Sequence, residues 1–573
     1  MAYEKIKSET YSQLGGINVK ASAYVNTIQE MRDITNLNFF VPGSLTKRPG
    51  TTAALSATVA GRITGLYEFQ RLNGASYLVA TANTNAYVVT NSFSAFRAGL
   101  TDGKIFDFVT FVDRLFMGNG SDFFKYDGNQ ATNFSLPPGN TLGASITGAG
   151  SLSGTYQYAY GYLNNRGYLG PAINIVTAAP SSQQVVLQGF TTPTGFGITA
   201  IAIYRTSAGG VDLFRTTYIA PGSSQYIDSG DALTNDSAND NLYFTLAPKY
   251  LELYNNQLFL AGFSNALSTA YWSQIGEPEG IPPDFFAEFR TNDGDRVTGM
   301  KSFAGALIVT KEKSFHKLTG DNPSNFLVQE ISDQYGCLSN RTLVQFEDRL
   351  MFLDQKGVVE YNGANIRIIS NRVEPIFLAM NVQAATENAC SIHYRQYNEV
   401  WFCIPCNGAT INNCIVVYDY VADAWTKYEG LNVSSVALGR QFLTSQTPFY
   451  GGYTGNIFYF GASFFGDNGQ AMTCMIKTRY LAPMGQTTEQ QFRRFYLNIN
   501  PVIGITQPIT INLRPNYGET ISATRTMYQA PFQSRIDYGI PARSLSAEII
   551  HSSATLAIRV DGFTIESRFQ RAV

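Results

Sequence analysis

The sequence is poor in the residues that most often carry chemistry. It has three histidines, three tryptophans and six cysteines in 573 residues. His316, His393 and His551 lie far apart and suggest no Ser-His-Asp arrangement. Cys337, Cys390, Cys403, Cys406, Cys414 and Cys474 are too sparse for a disulfide framework. Long apolar runs are missing too. None approaches the roughly 18 residues of a membrane-crossing helix, so no membrane-spanning segment is expected. The opening "MAYEKIKSETYSQLGG" lacks the apolar centre of a signal peptide. Neither sign of charge dominates: 41 basic residues against 43 acidic ones leave a net charge of −2. A protein that grips nucleic acid by its phosphates needs a basic surface, so tight holding of DNA is not expected.

What is abundant points to strands and turns. There are 34 Tyr, 39 Phe and 51 Gly, with much Thr, Val, Ile and Asn. The fold class is expected to be all-β. One helix start stands out in an N-terminal arm over residues 1–60. In "TIQEMRDITNLNFF", Thr27 and Glu30 have the spacing of a capping box, and Met31, Ile34 and Leu37 follow at near-helical spacing. "VPGSLTKRPG", bracketed by Pro42 and Pro49, is turn-rich. Its basic residues belong to a solvated linker or to a segment that orders against a neighbour.

From residue 61 a unit recurs: an apolar strand, a polar turn, and a second strand ending in Gly or Asn. Copies are "YLVATANTNAYVVTN" (77–91), "RLFMGNGSDFFKYDGN" (114–129), "QLFLAGFSNALSTAYWS" (257–273), "LIVTKEKSFHKLTG" (307–320), "RLMFLDQKGVVEYNG" (349–363) and "VWFCIPCNGATINNCIVVYDY" (400–420). "PFYGGYTGNIFYFG" (448–461) is a weaker one. One gap aside, the spacing is about 38–50 residues, the period of a β-propeller blade. A propeller over 61–137 and 248–475 is expected, with a closing strand from elsewhere free to complete it. By period-two alternation, Lys311, Lys313, Phe315 and Lys317 share a face. That face is either solvated or a basic stripe towards DNA or a partner.

The gap, 138–247, holds short strands such as "TYQYAYGYLNN", "QQVVLQGF" and "GITAIAIYR" at even spacing. It reads as an inserted β-sandwich whose motif order resembles fibronectin type III-like modules. Residues 476–573 alternate apolar and polar and read as a C-terminal β-sandwich.

Motifs for catalysis are weak. "GAGSLSG" (148–154) lacks the strand-before, helix-after setting and the Lys-Ser/Thr ending of a phosphate loop. Cys403, Cys406 and Cys414, with Cys390 or His393 as a fourth ligand, have the residue types of a zinc site, but buried thiols read better. Asp293, Asp295 and Asp321 offer carboxylates of the kind that hydrolyse glycosides, although Asp-Gly more often marks a turn. No catalytic residue, metal or cofactor is expected.

The arm "LGGINVKASAYVNTIQEMRDITNLNFFVPGSLTKRPGT" resembles the N-terminal region of tail tube and nozzle proteins of short-tailed bacteriophages. The matching positions are Gly15, Gly16, Ile17 and Asn18, then Ile34 to Asn38, then Gly43, Leu45, Lys47, Arg48, Pro49 and Gly50. "NQLFLAGFSNALSTAYWSQIGEPE" (256–279) and most of 293–363 are similar to the same family, as are "RFYLNI" and "GFTIESRF". The resemblance implies a structural virion protein, not an enzyme, made in the host cytoplasm and placed in the distal part of the short tail. It implies six copies in a ring below the portal adaptor, with a tail fibre or spike and a needle or plug as partners, through which double-stranded DNA passes on ejection. The arm residues Gly15, Gly16, Asn18, Lys47, Arg48 and Pro49 are then candidate assembly contacts, and removing residues 1–50 would leave the propeller folded but block the ring. Lys311, Lys313 and Lys317 are candidates for facing DNA or a partner. The other reading is a β-propeller that binds or hydrolyses glycans.

Overall fold

The computed structural model describes residues 6–22, 29–442, 445–499, 508–518, 520–528 and 534–572. The fold is all-β: a β-propeller, an inserted fibronectin type III-like sandwich and a C-terminal sandwich. Among the described residues, no helix is long and apolar enough to cross a membrane. The chain divides into two compact units, Met1–Glu68 with Ser76–Ala95 and Asp333–Val573, and Phe69–Ala75 with Phe96–Ser332.

The repeats are blades. Each is a four-stranded antiparallel sheet, because its apolar strands alternate and are joined by tight turns. In the second unit the blades run Asp107–Phe111 to Ala131–Asn133, Tyr250–Tyr254 to Phe286–Glu288, and Val297–Phe303 to Leu327–Ser332. Their first hairpins turn on pairs with both residues left-handed: Val112-Asp113, Asn255-Asn256 and Ala304-Gly305. Leu251, Leu258 and Leu260 pack on Val109 and Phe116 of the preceding blade. On the other face of the same sheet, Phe259 and Trp272 pack on Val297, Leu307 and Val309 of the next.

The insert has seven strands in two sheets. Gly143–Ser153, Ser181–Gln188 and Gln225–Asp228 form one, and Val176–Ala178, Tyr156–Asn164, Ile198–Arg205 and Phe214–Ile219 the other. Tyr158, Tyr160 and Tyr162 alternate inwards onto Val185, Leu187, Ile201 and Ile203.

The first unit holds the blades at Ile63–Gln70 to Phe93–Arg97 (the ends of whose outer strands fall in the second unit), Val344–Phe346 to Ile366–Ile368, and Cys390–Tyr394 to Ala424–Glu429. The last blade has only three consecutive strands, Ser435–Gly439, Thr447–Gly451 and Ile457–Gly461. Its fourth is Gly50–Ala53 from the N-terminal segment, antiparallel to Ile457–Gly461. This is the closing strand that the weak final repeat left open.

The N-terminal segment departs from expectation elsewhere. Met31–Thr35 and Leu37–Asn38 are strands, not a helix, and Thr27 lies outside the described residues. Met31–Thr35 lies antiparallel to Gln470–Thr478 of the C-terminal sandwich and touches Ala424–Glu429 in parallel. Met31, Ile34 and Leu37 are all buried, so backbone pairing on both sides overrides the local helical spacing. Ile6–Ser12 and Leu45–Lys47 both pair with Arg559–Ala572. The segment is therefore part of the C-terminal sandwich and of the last blade, not an arm standing apart. That sandwich begins at Gln470, a few residues before the expected 476.

One side chain fixes the junction. Arg48 has a fully buried guanidinium that meets Asp467 through Nη1 (3.0 Å) and Nη2 (2.7 Å). Its Nε donates to Asn36 Oδ1 (3.0 Å) and Nη1 also donates to the Pro49 carbonyl (3.0 Å). The same Asn36 oxygen accepts from the backbone of Glu429, and Asn36 Nδ2 donates to the Thr473 carbonyl. The guanidinium lies over the rings of Tyr428 and Phe460. Replacing Arg48 by Met strands Asp467 and Asn36, and breaking a buried pair of this kind costs about 3–5 kcal/mol. Arg48→Met is expected to lower the urea midpoint of the first unit's unfolding accordingly, monitored by tryptophan fluorescence of Trp401 and Trp425.

Candidate functional site

The candidate site is the groove beside the Gly15-Gly16 pair, in the first unit. The segment approaches its own neighbours too closely for a side chain here. A Cβ on Gly16 would sit 2.7 Å from the Trp425 amide nitrogen, and one on Gly15 would sit 2.9 Å from the Gln29 carbonyl. The close approach leaves a groove of about 670 Å³. Its walls are this pair, Phe39, Phe40 and the turn at Asp419–Ala424. The lip is apolar: Phe40 is half exposed and rests on the Tyr397 ring at 4.7 Å, and Val421 is largely exposed. The wall opposite is charged and preorganised. Arg372 Nε lies 3.4 Å from Glu30, and its Nη1 donates to the Asp423 carbonyl. Asn18 Nδ2 donates to Glu30 at 3.0 Å. An apolar lip facing paired charges suits an extended protein segment better than a small molecule.

The other arm candidates do not share this surface. Lys47 is buried and donates to the carbonyls of Ser553 (2.7 Å) and Leu556 (3.1 Å). Arg48 and Pro49 are buried in the junction described above. Of the six, Gly15 and Gly16 line the groove, Asn18 stands behind it on Glu30, and Lys47, Arg48 and Pro49 hold the chain's own fold together. The expectation that residues 1–50 can be removed without unfolding is thereby corrected: they supply buried strands and core residues Tyr11, Leu14, Ile17 and Leu45.

The lysine stripe is also corrected. One strand ends at Lys311 and the next begins at Phe315, so alternation does not run through 311–317. Lys311 is fully buried; its Nζ meets both Asp293 oxygens (2.7 and 2.8 Å) and the carbonyls of Phe289 and Arg290. Lys313 is exposed in the turn, and Lys317 is half-buried opposite Ile308.

The carboxylates considered for glycoside chemistry are turn formers. Burial works against the Asp293 carboxylate, but hydrogen bonds from Lys311 and the Asp295 amide outweigh it and hold its pKa below the usual range. Asp295 accepts from the amides of Glu312 and Lys313. Asp321 accepts from the side chains of Asn322 and Asn325. The thiols stand in the blade at Cys390–Tyr394 to Ala424–Glu429, all free and buried, with Cys390 opposite Cys403 and Cys414 opposite Ile404. His393 meets the Tyr420 hydroxyl instead. Among the described residues no three His, Cys, Asp or Glu side chains converge as a metal site would require.

Sequence reasoning missed Glu399. It is buried in the same blade, accepting from Trp401 Nε1 (2.5 Å) and the Tyr428 hydroxyl (2.9 Å). Burial pushes its pKa up from 4.5 to about 8, against those two hydrogen bonds. Alternation alone would have marked it: Glu399 shares a face with the buried Trp401 and Cys403.

Neither a family model nor a curated protein matches the chain. Among solved structures it is similar to the WD40 domain of Neurospora crassa Pan2 (8% identity, 63% of this chain and 89% of that one, TM-score 0.27). It is similar to YCF48 bound to D1 peptide (10%, 72% and 99%, 0.24). It is also similar to an exo-β-1,3-galactanase from Phanerochaete chrysosporium (7%, 89% and 100%, 0.17).

The raised pKa of Glu399 gives a pH test. Between about pH 4.5 and pH 8 the unfolded chain has lost the proton that the folded chain keeps, so this group makes stability fall as pH rises. Glu399→Gln removes that dependence. Its stability is expected to gain on that of the unsubstituted protein across this window, by roughly 1 kcal/mol per pH unit, read as a growing difference in melting temperature. A constant difference across the window would contradict the assignment.

Proposed function

We propose that this chain is a structural virion protein, the tail nozzle or hub of a short-tailed bacteriophage. In this reading six copies form a ring below the portal adaptor, extend the DNA channel, retain the packaged genome and let it pass on ejection. A fibre or spike and a needle or plug dock on the ring at the distal part of the tail.

The observation that carries the reading is where the family-like motif falls. The run from Gly15 to Gly50 is the segment that closes the last blade and joins the C-terminal sandwich. The residues that carry the resemblance are the ones this architecture depends on. The near-neutral charge also supports a conduit, since DNA that must slide is hindered by tight phosphate contacts. The groove beside Gly15 and Gly16 gives a neighbouring copy an apolar lip and fixed charges to dock against, as heterologous contacts around a closed ring require.

Immunogold electron microscopy with an antibody to residues 138–247 tests this on intact particles. Gold is expected at the tip of a short tail. Unlabelled particles with free antigen in the lysate, once the epitope is shown to be accessible, would overturn it.

A further inference from the structure

The second unit holds a buried cluster whose charges do not balance. Glu279 is 3% exposed, and its Oε1 receives both Lys125 Nζ (2.5 Å) and Arg114 Nη1 (3.0 Å). Two cations meet one carboxylate, away from water. The neighbouring Asp127 is already paired with Arg166 (2.7 Å) and supplies no counter-charge. Lys125 Nζ also donates to the Phe134 carbonyl (3.1 Å), which carries no counter-charge, so the cluster keeps one cation too many and its cheapest relief is for the ammonium to give up its proton. Burial does lower the Lys125 pKa, against the pull of Glu279. A neutral, desolvated lysine amine is a nucleophile.

An electrophile is held on the other oxygen of the same carboxylate. Asn164 is 2% exposed, and its Nδ2 donates to Glu279 Oε2 at 3.2 Å. Its Oδ1 accepts two backbone N–H groups, from Arg166 (3.0 Å) and Tyr168 (3.1 Å). These contacts fix which end of the amide is oxygen. They also place two donors where negative charge would build if the amide carbon were attacked, which is the arrangement of an oxyanion hole. Amine, activated amide and shared carboxylate are thus assembled in a site closed to water.

We propose that Lys125 and Asn164 join in an intramolecular isopeptide bond that the protein forms by itself, with Glu279 as the catalytic residue. The neutral Nζ attacks Asn164 Cγ, and the carbonyl electrons move onto Oδ1, held by the two amides. Glu279 takes a proton from Nζ and gives it to Nδ2. The C–Nδ2 bond breaks as the carbonyl re-forms, and ammonia leaves. The products are one secondary amide and one ammonia; no oxidant, metal or cofactor takes part. The reaction also makes the balance permanent, because a secondary amide cannot take the proton back and Arg114 and Glu279 remain as a one-to-one pair. Arg114 is a positioning residue that steadies the carboxylate. The bond ties the blade strand Phe123–Tyr126 to the sandwich strand Tyr156–Asn164, so that the insert is anchored covalently to its blade.

The sequence makes the test direct. Trypsin cuts after Arg114, Lys125 and Arg166, with no other Lys or Arg between them. The unlinked full-length protein yields Leu115–Lys125 and Tyr126–Arg166. A lysine acylated on Nζ is not cut, so the linked protein yields one peptide, Leu115–Arg166, lighter than its sequence mass by one ammonia. That single peptide is expected from the purified, fully folded chain, together with an intact mass lowered by one ammonia. Recovery of the two separate peptides at full mass, or of the uncut peptide without loss of ammonia, would overturn the proposal. Glu279→Gln and Lys125→Arg are each expected to abolish the single ammonia-deficient peptide. Lys125→Arg keeps a donor for Glu279 but offers no amine to acylate, which separates loss of the bond from loss of the fold. A bond still formed in Glu279→Gln would remove the catalytic role from that residue and overturn the mechanism.

Discussion

The first unit depends on a guanidinium with no water around it. Arg48 is tolerable in the interior only because its donors are matched by the Asp467 carboxylate, the Asn36 side chain and the Pro49 carbonyl, with aromatic rings on its faces. Those partners come from three different places: the N-terminal segment, the turn before the C-terminal sandwich, and the last two blades. Asn36 reaches the geometry by adopting a left-handed backbone (φ 58°), which asparagine accepts more readily than most residues. Lysine could not replace this arginine, since a single ammonium cannot address a carboxylate and an amide oxygen in one plane.

Around that knot the same chain segment does two jobs. Gly50–Ala53 supplies the fourth strand of the last blade, so the edge at Ile457–Gly461 is not left open. Met31–Thr35 bridges the outer strand of the preceding blade and the first strand of the sandwich, which merges them into one continuous sheet. Gly50 must be glycine for this, because a Cβ would lie 2.2 Å from the Gly466 carbonyl oxygen. The Pro49-Gly50 step that reads as a linker in the sequence is a close backbone crossing in the fold.

Much of the architecture was legible because it rests on short-range signals. The hairpin at 77–91 appears as Ser76–Ala82 and Asn85–Val89, and the one at 349–363 as Arg349–Asp354 and Gly357–Tyr361. The insert's strands, from Gly143–Ser153 to Gln225–Asp228, were legible for the same reason. What was hidden depends on distant partners. Met31, Ile34 and Leu37 keep a helical spacing, yet Ile34 sits opposite Ile476, and nothing near it in the sequence announces that. Lys311 looked solvated because its neighbours are charged; its burial follows from Asp293 folding back over it. In the candidate groove, Gly15 and Gly16 were visible as a motif. Their partners Trp425 and Arg372 lie far along the chain, and no local pattern links them to the pair.

The strand borrowed from the beginning of the chain also sets an order of events in time. Asn36 must find Thr473, a partner 437 positions away, before the junction can form. During synthesis Asn36 emerges before Thr473 and waits until that partner has been made. In that interval Met31–Thr35 and Gly50–Ala53 wait as unpaired strands, the feature most prone to wrong partners. Contacts this remote in sequence slow the search for the native state. The closure that makes the finished unit rigid therefore makes its birth slow, and leaves synthesis of Gln470–Thr478 as the checkpoint that the nascent chain must pass before this junction can form.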